Sequence, residues 1–190
     1  MIALEEERLK ALFAYNLLDT EAEMQYDSIT NLACYICGTE MAAISLIDHY
    51  RLWLKSKVGT DICEIDKDLA FCKYTILQES LLEIPDTLQD ERVKDNPMVT
   101  CQDGIRYYAG VSLVNPDGYV LGTICVFDTQ PKNLNDKQKQ ALQFLASETV
   151  MHMETAKKNL TLNNLVEKLQ HFQSLFNNSG EIHCISNQEG

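Results

Sequence analysis

The chain has 190 residues, 45% of them hydrophobic and 23% charged, which is the composition of an ordinary globular protein. Its formal net charge of −12 argues against a nucleic-acid-binding protein, because phosphate binding requires clustered lysine and arginine side chains. No apolar run approaches the ~20 residues that span a bilayer, and the acidic N-terminus does not resemble a secretory signal. We therefore expect a cytoplasmic protein with no membrane segment.

Two helices are predicted at the start of the chain. Apolar residues at helical spacing predict the first helix over residues 3–18. Asp19–Thr20 ends that segment and is predicted to cap the second helix, because a glutamate follows three residues after the threonine. The second helix is expected to run to about Cys37, where Gly38 ends it.

The period then changes to that of extended strands. Residues 41–48 are almost wholly apolar, which predicts a central strand covered on both faces. Residues 51–59 alternate, which predicts a half-exposed strand at or near a sheet edge. One face of this strand is expected to carry Leu52, Leu54, Ser56 and Val58, and the other Arg51, Trp53, Lys55 and Lys57.

The strand signal lapses between residues 60 and 104. A short helix is predicted over residues 70–78, a short strand over 81–86, and a capped turn followed by a loop over 87–99. The short helix is expected to pack on the sheet.

Two long strands are predicted next, over residues 105–114 and 119–128. The tetrapeptide Asn115–Gly118 between them is turn chemistry, since proline presets φ at its second position and glycine accepts positive φ at its end. Gly110 and Gly122 lie inside the strands, where each predicts a bulge or a close approach of another group.

A long final helix, capped by Asn135 or Asp136, closes the sequence. It carries two apolar stripes that are out of phase, as at a stutter in a coiled coil. The first stripe consists of Leu142, Ala146, Thr149, Met153, Ala156 and Leu160, and the second of Leu162, Leu165, Leu169, Phe172 and Phe176. Because this helix outruns the core of one small domain, we expect it to pair with its copy in a second subunit.

Several of these segments, in this order, resemble the GAF domains of bacterial sensor histidine kinases and diguanylate cyclases. The resemblance covers roughly residues 5–155, and residues 172–190 resemble the first helix and strand of a PAS domain. The segments that carry the GAF resemblance are ERLKALFAYNLLDT, LACYICGTEMAAISLID, RLWLKSKVG, AFCKYTIL, IPDTLQDERVKDNPMV, IRYYAGVSLVNPDGYVLGTICVFD and LNDKQKQALQFLA.

The resemblance implies an α+β fold with a central twisted antiparallel sheet. The first, second and last helices would cover one face, and short helices and loops would form a small ligand pocket on the other. It implies a GAF sensory domain over residues 1–155, a signalling helix over 156–171 and a truncated PAS start over 172–190. The implied function is a regulatory sensor, not an enzyme in itself, that works as a homodimer through its N-terminal and C-terminal helices and acts on a downstream output domain.

Six residues are candidates for the pocket. Cys72 and Cys125 map near it and form a thiol pair that would sense a ligand or oxidation. Tyr107 and Tyr108 alternate across the strand, so only one of them is expected to face the pocket. Arg92 is a candidate anion anchor, with pairing to a neighbouring aspartate as the structural alternative. Trp53 completes the set.

The sequence leaves other functions open and identifies no cofactor. The cysteines at positions 72 and 125 motivate an alternative enzyme resembling free methionine sulfoxide reductases, although the local sequence does not match that family's cysteine pattern. An unliganded dimerisation scaffold is the third hypothesis. Cys34 and Cys37 form a C-x-x-C pair without a second pair, which favours buried thiols over a zinc site. The signatures of bilin-binding and cyclic-nucleotide-binding GAF domains are absent from the sequence, and the four scattered histidines favour no haem ligand.

Overall fold

The computed structural model describes residues 2–78 and 80–185. Within them, five α-helices and six strands form one mixed domain and a helical extension. The helices are α1 (Ile2–Phe13), α2 (Met24–Cys37), α3 (Cys72–Thr75), α4 (Pro97–Thr100) and α5 (Asp136–Ile185). The strands are β1 (Met41–Ile47), β2 (Arg51–Val58), β3 (Glu64–Asp66), β4 (Leu82–Ile84), β5 (Tyr107–Val114) and β6 (Val120–Asp128).

The strands form one sheet in the order β3-β2-β1-β6-β5-β4, and every neighbouring pair is antiparallel. The predicted α+β class and antiparallel sheet are therefore confirmed. The central strand β1 is buried along nearly its whole length, as its apolar sequence predicts. Sequence analysis missed β3, which is a three-residue edge strand without an apolar run.

Helices α1, α2 and the first part of α5 cover one face of the sheet. Their buried residues, including Leu12, Ala33 and Leu142, form one core with the strand residues Ile44 and Ile124. A second core lies on the opposite face, where the short helices and loops between β2 and β5 pack on the sheet. This two-layer arrangement is the one that the sequence resemblance implies.

Local signals at three turns have the expected structural effect. Gly38 ends α2 with φ of 65°, and its N–H donates to the carbonyl of Cys34 at 2.8 Å. The Asn115–Gly118 turn closes with a 2.9 Å bond from the Gly118 N–H to the Asn115 carbonyl. Asn135 and Gln138 cap the start of α5 reciprocally, since the backbone N–H of each donates to the side-chain oxygen of the other at 3.0 Å.

The predicted cap of α2 is wrong. The helix begins after Glu23, and no side chain caps it. The Thr20 hydroxyl donates to the carbonyl of Leu17 at 2.7 Å and accepts a bond from Lys55 at 2.7 Å, so it serves the loop before the helix instead.

The predicted facing of β2 is wrong for half of the strand. The pairing with β1 shifts at Lys55, so that Ile44 lies opposite Ser56 while the next residue of β1 lies opposite Leu54. This β-bulge exchanges the two faces. Leu54 consequently packs in the core away from the long helices, whereas Ser56 accepts a 2.8 Å bond from Thr30 of α2.

The chain divides into two units, residues 1–154 and residues 155–190. In the second unit α5 continues as a helix to Ile185, so a PAS strand does not begin before that residue. The PAS start predicted over 172–190 otherwise stays a prediction, and residues 186–190 lie outside the described chain. Leu162, Leu165 and Leu169 are each more than half exposed. No helix in the described part of the chain is both long enough and apolar enough to cross a bilayer.

Candidate functional site

A cavity of about 260 Å³ lies on the sheet face opposite α1 and α2. Its floor comes from the cavity-facing residues of five strands, such as Ala43, Leu54 and Tyr108. Its walls come from the segment around Phe71 and from the loops near Ile62, and its rim is exposed. The pocket that the resemblance implies is therefore present on the expected face.

The cavity walls are mostly apolar and carry little charge. Among the described residues that line it, none is a lysine, arginine or histidine, and Asp103 at the rim is the single carboxylate. An anion in this cavity would thus find no cationic partner, and burying it would carry a large desolvation cost. The cavity favours a small uncharged molecule.

One wall of the cavity is a cluster of donors around the sulfur atom of Cys72. Thr123 Oγ1 donates to this sulfur at 3.1 Å and the Tyr108 hydroxyl at 3.4 Å, while Ser45 Oγ lies 3.8 Å away. Cys125, whose own thiol donates to the carbonyl oxygen of Ala43 at 3.6 Å, is a further neighbour of this sulfur. Cys72 is only 4% exposed, so its remaining contact is the cavity itself.

These donors change the acidity of the two thiols in opposite directions. The neighbouring Cys125 thiol and the hydrogen bonds from Thr123 and Tyr108 lower the pKa of Cys72 to about 6, although burial acts to raise it. The proximity of Cys72, together with burial, raises the pKa of Cys125. Tyr108 also has a raised pKa, chiefly because it is buried. Of the two thiols, Cys72 is therefore the more acidic.

Gly110 makes room for this cluster. A Cβ atom at this position would lie 2.4 Å from the Tyr108 hydroxyl and 3.0 Å from Thr75 Oγ1, and these two oxygens are themselves hydrogen-bonded at 2.7 Å. At Gly122 a Cβ atom would lie 1.8 Å from the carbonyl oxygen of Ser45. Both glycines thus mark close approaches, as their place inside strands predicts.

Three of the six candidate residues line the cavity: Cys72, Cys125 and Tyr108. Tyr107 points to the helical face, where its hydroxyl donates to Glu83 at 3.1 Å. Trp53 packs against the same helical-face core. Arg92 is exposed and makes two bonds to Asp90, at 2.8 and 2.5 Å, which is the structural alternative considered for it.

Sequence analysis missed Ser45 and Thr123, which position the cysteine sulfur. Ser45 is the one hydroxyl residue in the apolar run of β1, and Thr123 lies two residues before Cys125 on the same face of β6. Both signals were available, but only the pairing of β1 with β6 shows that the two hydroxyls meet, at 2.9 Å.

The C-x-x-C pair lies on α2, away from the cavity. Cys37 is buried in the helical-face core, and burial raises the pKa of its thiol to about 11. Cys34 is half-buried, and burial raises its pKa as well. These thiols are protonated side chains of the core.

Comparison with known proteins places the chain in a family. Residues 21–152 match the model of the GAF domain. A cyclic di-GMP phosphodiesterase of Pseudomonas aeruginosa is 36% identical over 116 residues, which are 61% of this chain and 20% of that protein. The chain thus matches about a fifth of the length of that relative.

Solved structures share the fold at low sequence identity. The GAF domain of an Acinetobacter phosphoenolpyruvate-protein phosphotransferase aligns with a TM-score of 0.59 at 13% identity, over 83% of this chain and 98% of that structure. A free methionine-R-sulfoxide reductase from Neisseria meningitidis, in complex with its substrate, aligns with a TM-score of 0.59 at 15% identity, over 83% and 92%. The family match covers most of the described sheet and its helical layer, and the chain therefore belongs to the GAF domain family.

Proposed function

We propose that this chain is the regulatory sensory domain of a larger signalling protein, and that its input is a small, uncharged, largely apolar ligand. The cavity carries this proposal. Its volume of about 260 Å³ lies below the ~300–1,000 Å³ typical of sites for drug-sized ligands. A ligand with one ring or a short chain matches the cavity better than a nucleotide or a tetrapyrrole does.

The similarity to a cyclic di-GMP phosphodiesterase supports a role beside an enzyme of cyclic-dinucleotide turnover. The sequence resemblance also indicates histidine kinases and diguanylate cyclases as output domains. In this proposal the nucleotide belongs to the output domain and not to the cavity, because the described cavity lining offers no cationic side chain for its phosphates.

The proposed output element is α5. Its first part packs in the domain core through residues such as Leu145 and Met153, whereas Leu165 and Leu169 are exposed on the later part. Leucines at this spacing are typical of a coiled-coil seam, which supports a homodimer through this helix and α1. A ligand that binds one state of the domain better by ~1–3 kcal/mol is sufficient for regulation.

Ligand-induced thermal stabilisation tests the proposed input. Cyclohexanone, a small uncharged ring compound, is expected to raise the unfolding temperature of the full chain, whereas cyclic di-GMP and cyclic GMP are expected to leave it unchanged. The substitution Ala70→Phe fills the cavity and is expected to abolish the effect, while Ala22→Phe on the exposed loop before α2 retains it. Stabilisation by the nucleotides alone would contradict the proposal, and no stabilisation by any compound would favour the unliganded scaffold.

Turnover assays test the enzyme alternative that the two cavity thiols motivate. The regulatory proposal expects no reduction of free methionine sulfoxide by the chain with a thiol reductant. Turnover that is lost in Cys72→Ser or Cys125→Ser would establish a reductase and overturn the regulatory proposal.

A further inference from the structure

The sulfur of Cys72 differs from the other described thiols in its surroundings. It contacts the cavity on one side and hydrogen-bond donors from three neighbouring strands on the others, the nearest being Thr123 at 3.1 Å. Two hydroxyls donate to this one sulfur atom and a third lies 3.8 Å from it, which is more than a merely buried cysteine requires. Such an arrangement stabilises negative charge on sulfur, and the thiolate is the nucleophilic form of cysteine.

We propose that Cys72 captures its ligand covalently, and that the site takes small uncharged electrophiles of the α,β-unsaturated carbonyl class. This inference rests on the proposed function, since it requires that a small apolar molecule enters the cavity. It adds a chemical class for the ligand and a bond to a named atom.

The reaction is balanced without an oxidant or a further reactant. The sulfur lone pair of Cys72 forms a bond to the β-carbon of the ligand, and the π electrons of the carbon–carbon double bond move toward the carbonyl group. The α-carbon then takes up one proton, equal to the one that the Cys72 thiol gave up when it ionised. One S–H bond and one π bond are replaced by one S–C bond and one C–H bond.

The cavity selects which thiol reacts and with what. Cys125 keeps its proton, because its thiol donates to the carbonyl oxygen of Ala43 at 3.6 Å and because the neighbouring Cys72, together with burial, raises its pKa. Cys63 is exposed and does not line the cavity, and Cys101 lines it only as an exposed residue, so its sulfur is less enclosed than that of Cys72. An adduct at Cys72 would occupy the cavity and displace the hydroxyl groups of β1, β5 and β6 that surround the sulfur. Formation of the S–C bond would thereby change the packing of the sheet.

The probe is cyclohex-2-enone, with cyclohexanone as the matched compound that enters the same cavity but has no double bond to accept the sulfur. The full chain is incubated with each at pH 7, and adducts are assigned by intact mass and peptide mapping. Cyclohex-2-enone is expected to modify Cys72 about tenfold faster than an unstructured cysteine peptide, because the donors Thr123 and Tyr108 stabilise the thiolate and the cavity holds the ring beside the sulfur. Prior addition of cyclohexanone, or the substitution Ala70→Phe, is expected to slow the reaction.

Two results would contradict the proposals, and the experiment distinguishes them. If cyclohexanone stabilises the chain but the enone modifies only Cys63 or Cys101, covalent capture is overturned and the proposed function stands. If cyclohexanone has no effect and Cys72 is not modified, both proposals are overturned. The mapping uses the unaltered chain, so neither conclusion depends on the folding of a variant.

Discussion

The ionisation of Cys72 depends on the few groups that contact its sulfur atom. Tyr108 of β5 and Cys125 of β6 are the titratable groups in contact with its sulfur in the described chain, and both have raised pKa values. Asp103 lies at the cavity rim. Cys72 is therefore the group of this cluster whose ionisation changes between pH 5 and 8.

We expect the alkylation rate of Cys72 by iodoacetamide to be constant from pH 8 to pH 7 and to fall as the pH decreases through about 6. The sign follows from the lowered pKa, because protonation below that value removes the nucleophile. Thr123→Val removes the donor at 3.1 Å and should move the midpoint upward. A midpoint near the ~8.5 of a free cysteine, measured by mass spectrometry on the Cys72 peptide, would contradict the assigned hydrogen bonds.

Gly110→Ala is expected to destabilise the chain by about 1–3 kcal/mol, because the new Cβ atom overlaps the Tyr108 hydroxyl. Urea denaturation measures this cost. In a Tyr108→Phe background the cost should be smaller, since the overlapping oxygen is gone, and the two substitutions should therefore not be additive. Additive costs would show that the hydroxyl is not the group that Gly110 accommodates.

The sequence predicts the types of residue that face the cavity better than it predicts the individual residues. Alternation shows that one of Tyr107 and Tyr108 faces the cavity, but the choice depends on pairing with Asp128 and Phe127 of β6, which are remote in sequence. For the same reason the contact between Ser45 and Thr123 was not predictable from either strand alone.

At the scale of elements, one half-buried arginine links α1 to the sheet in addition to its apolar contacts. Arg8 donates to the carbonyl oxygens of Ile47 at 2.9 Å and Val120 at 3.3 Å, while Glu5 binds its other nitrogens. The ion pair lowers the pKa of Glu5 to about 2, with Lys67 as a further partner. A single side chain thus joins the first helix to the ends of two central strands.

We expect Arg8→Met to cost about 1–3 kcal/mol of unfolding free energy, because two strand carbonyls and a carboxylate lose their partner. Lys10→Met on the exposed side of the same helix is the matched control. Lys10 pairs with Glu7 at 2.7 Å in solvent, and its loss should change stability by less than ~0.5 kcal/mol. Equal costs for the two variants in urea denaturation would contradict the role of Arg8 in docking α1.

The bulge in β2 shows why the faces of this strand could not be predicted correctly from the sequence. Lys55 was assigned to a half-exposed face, yet it is 4% exposed and its ammonium group lies 2.5 Å from Glu23 Oε1 and 2.8 Å from the carbonyl oxygen of Glu21. These partners belong to the loop before α2. A regular alternating pattern contains no sign of an extra residue, because a bulge is specified by such remote contacts.

At the scale of the whole molecule, the order of helices and long strands followed from period changes and from turn residues such as Gly38 and Asn135. The short edge strand β3 and the bulge in β2 could not be predicted from these features. The proposed homodimer rests on the later part of α5, so it is tested separately from the fold.

Light scattering at high micromolar concentration is expected to give a dimer for the full chain. Replacing Leu165 and Leu169 by glutamate should give a monomer, because two charges would enter the apolar seam. Replacing Asn164 and Gln170 by glutamate adds the same charge at neighbouring positions and should leave the dimer intact. A monomeric unaltered chain, or equal dissociation of both variants, would contradict this seam.

The two faces of the sheet carry separate cores, one at the cavity and one under the long helices. Adjacent residues of β1, Ala43 and Ile44, belong to different cores, and the same holds for Cys125 and Val126 of β6. Under the proposed function, randomising Leu52, Leu54 and Phe71 would therefore alter the chemical preference of the cavity without repacking the long helices. For protein engineers, such variants would form a panel of reporters for different small molecules that share one unchanged helical layer.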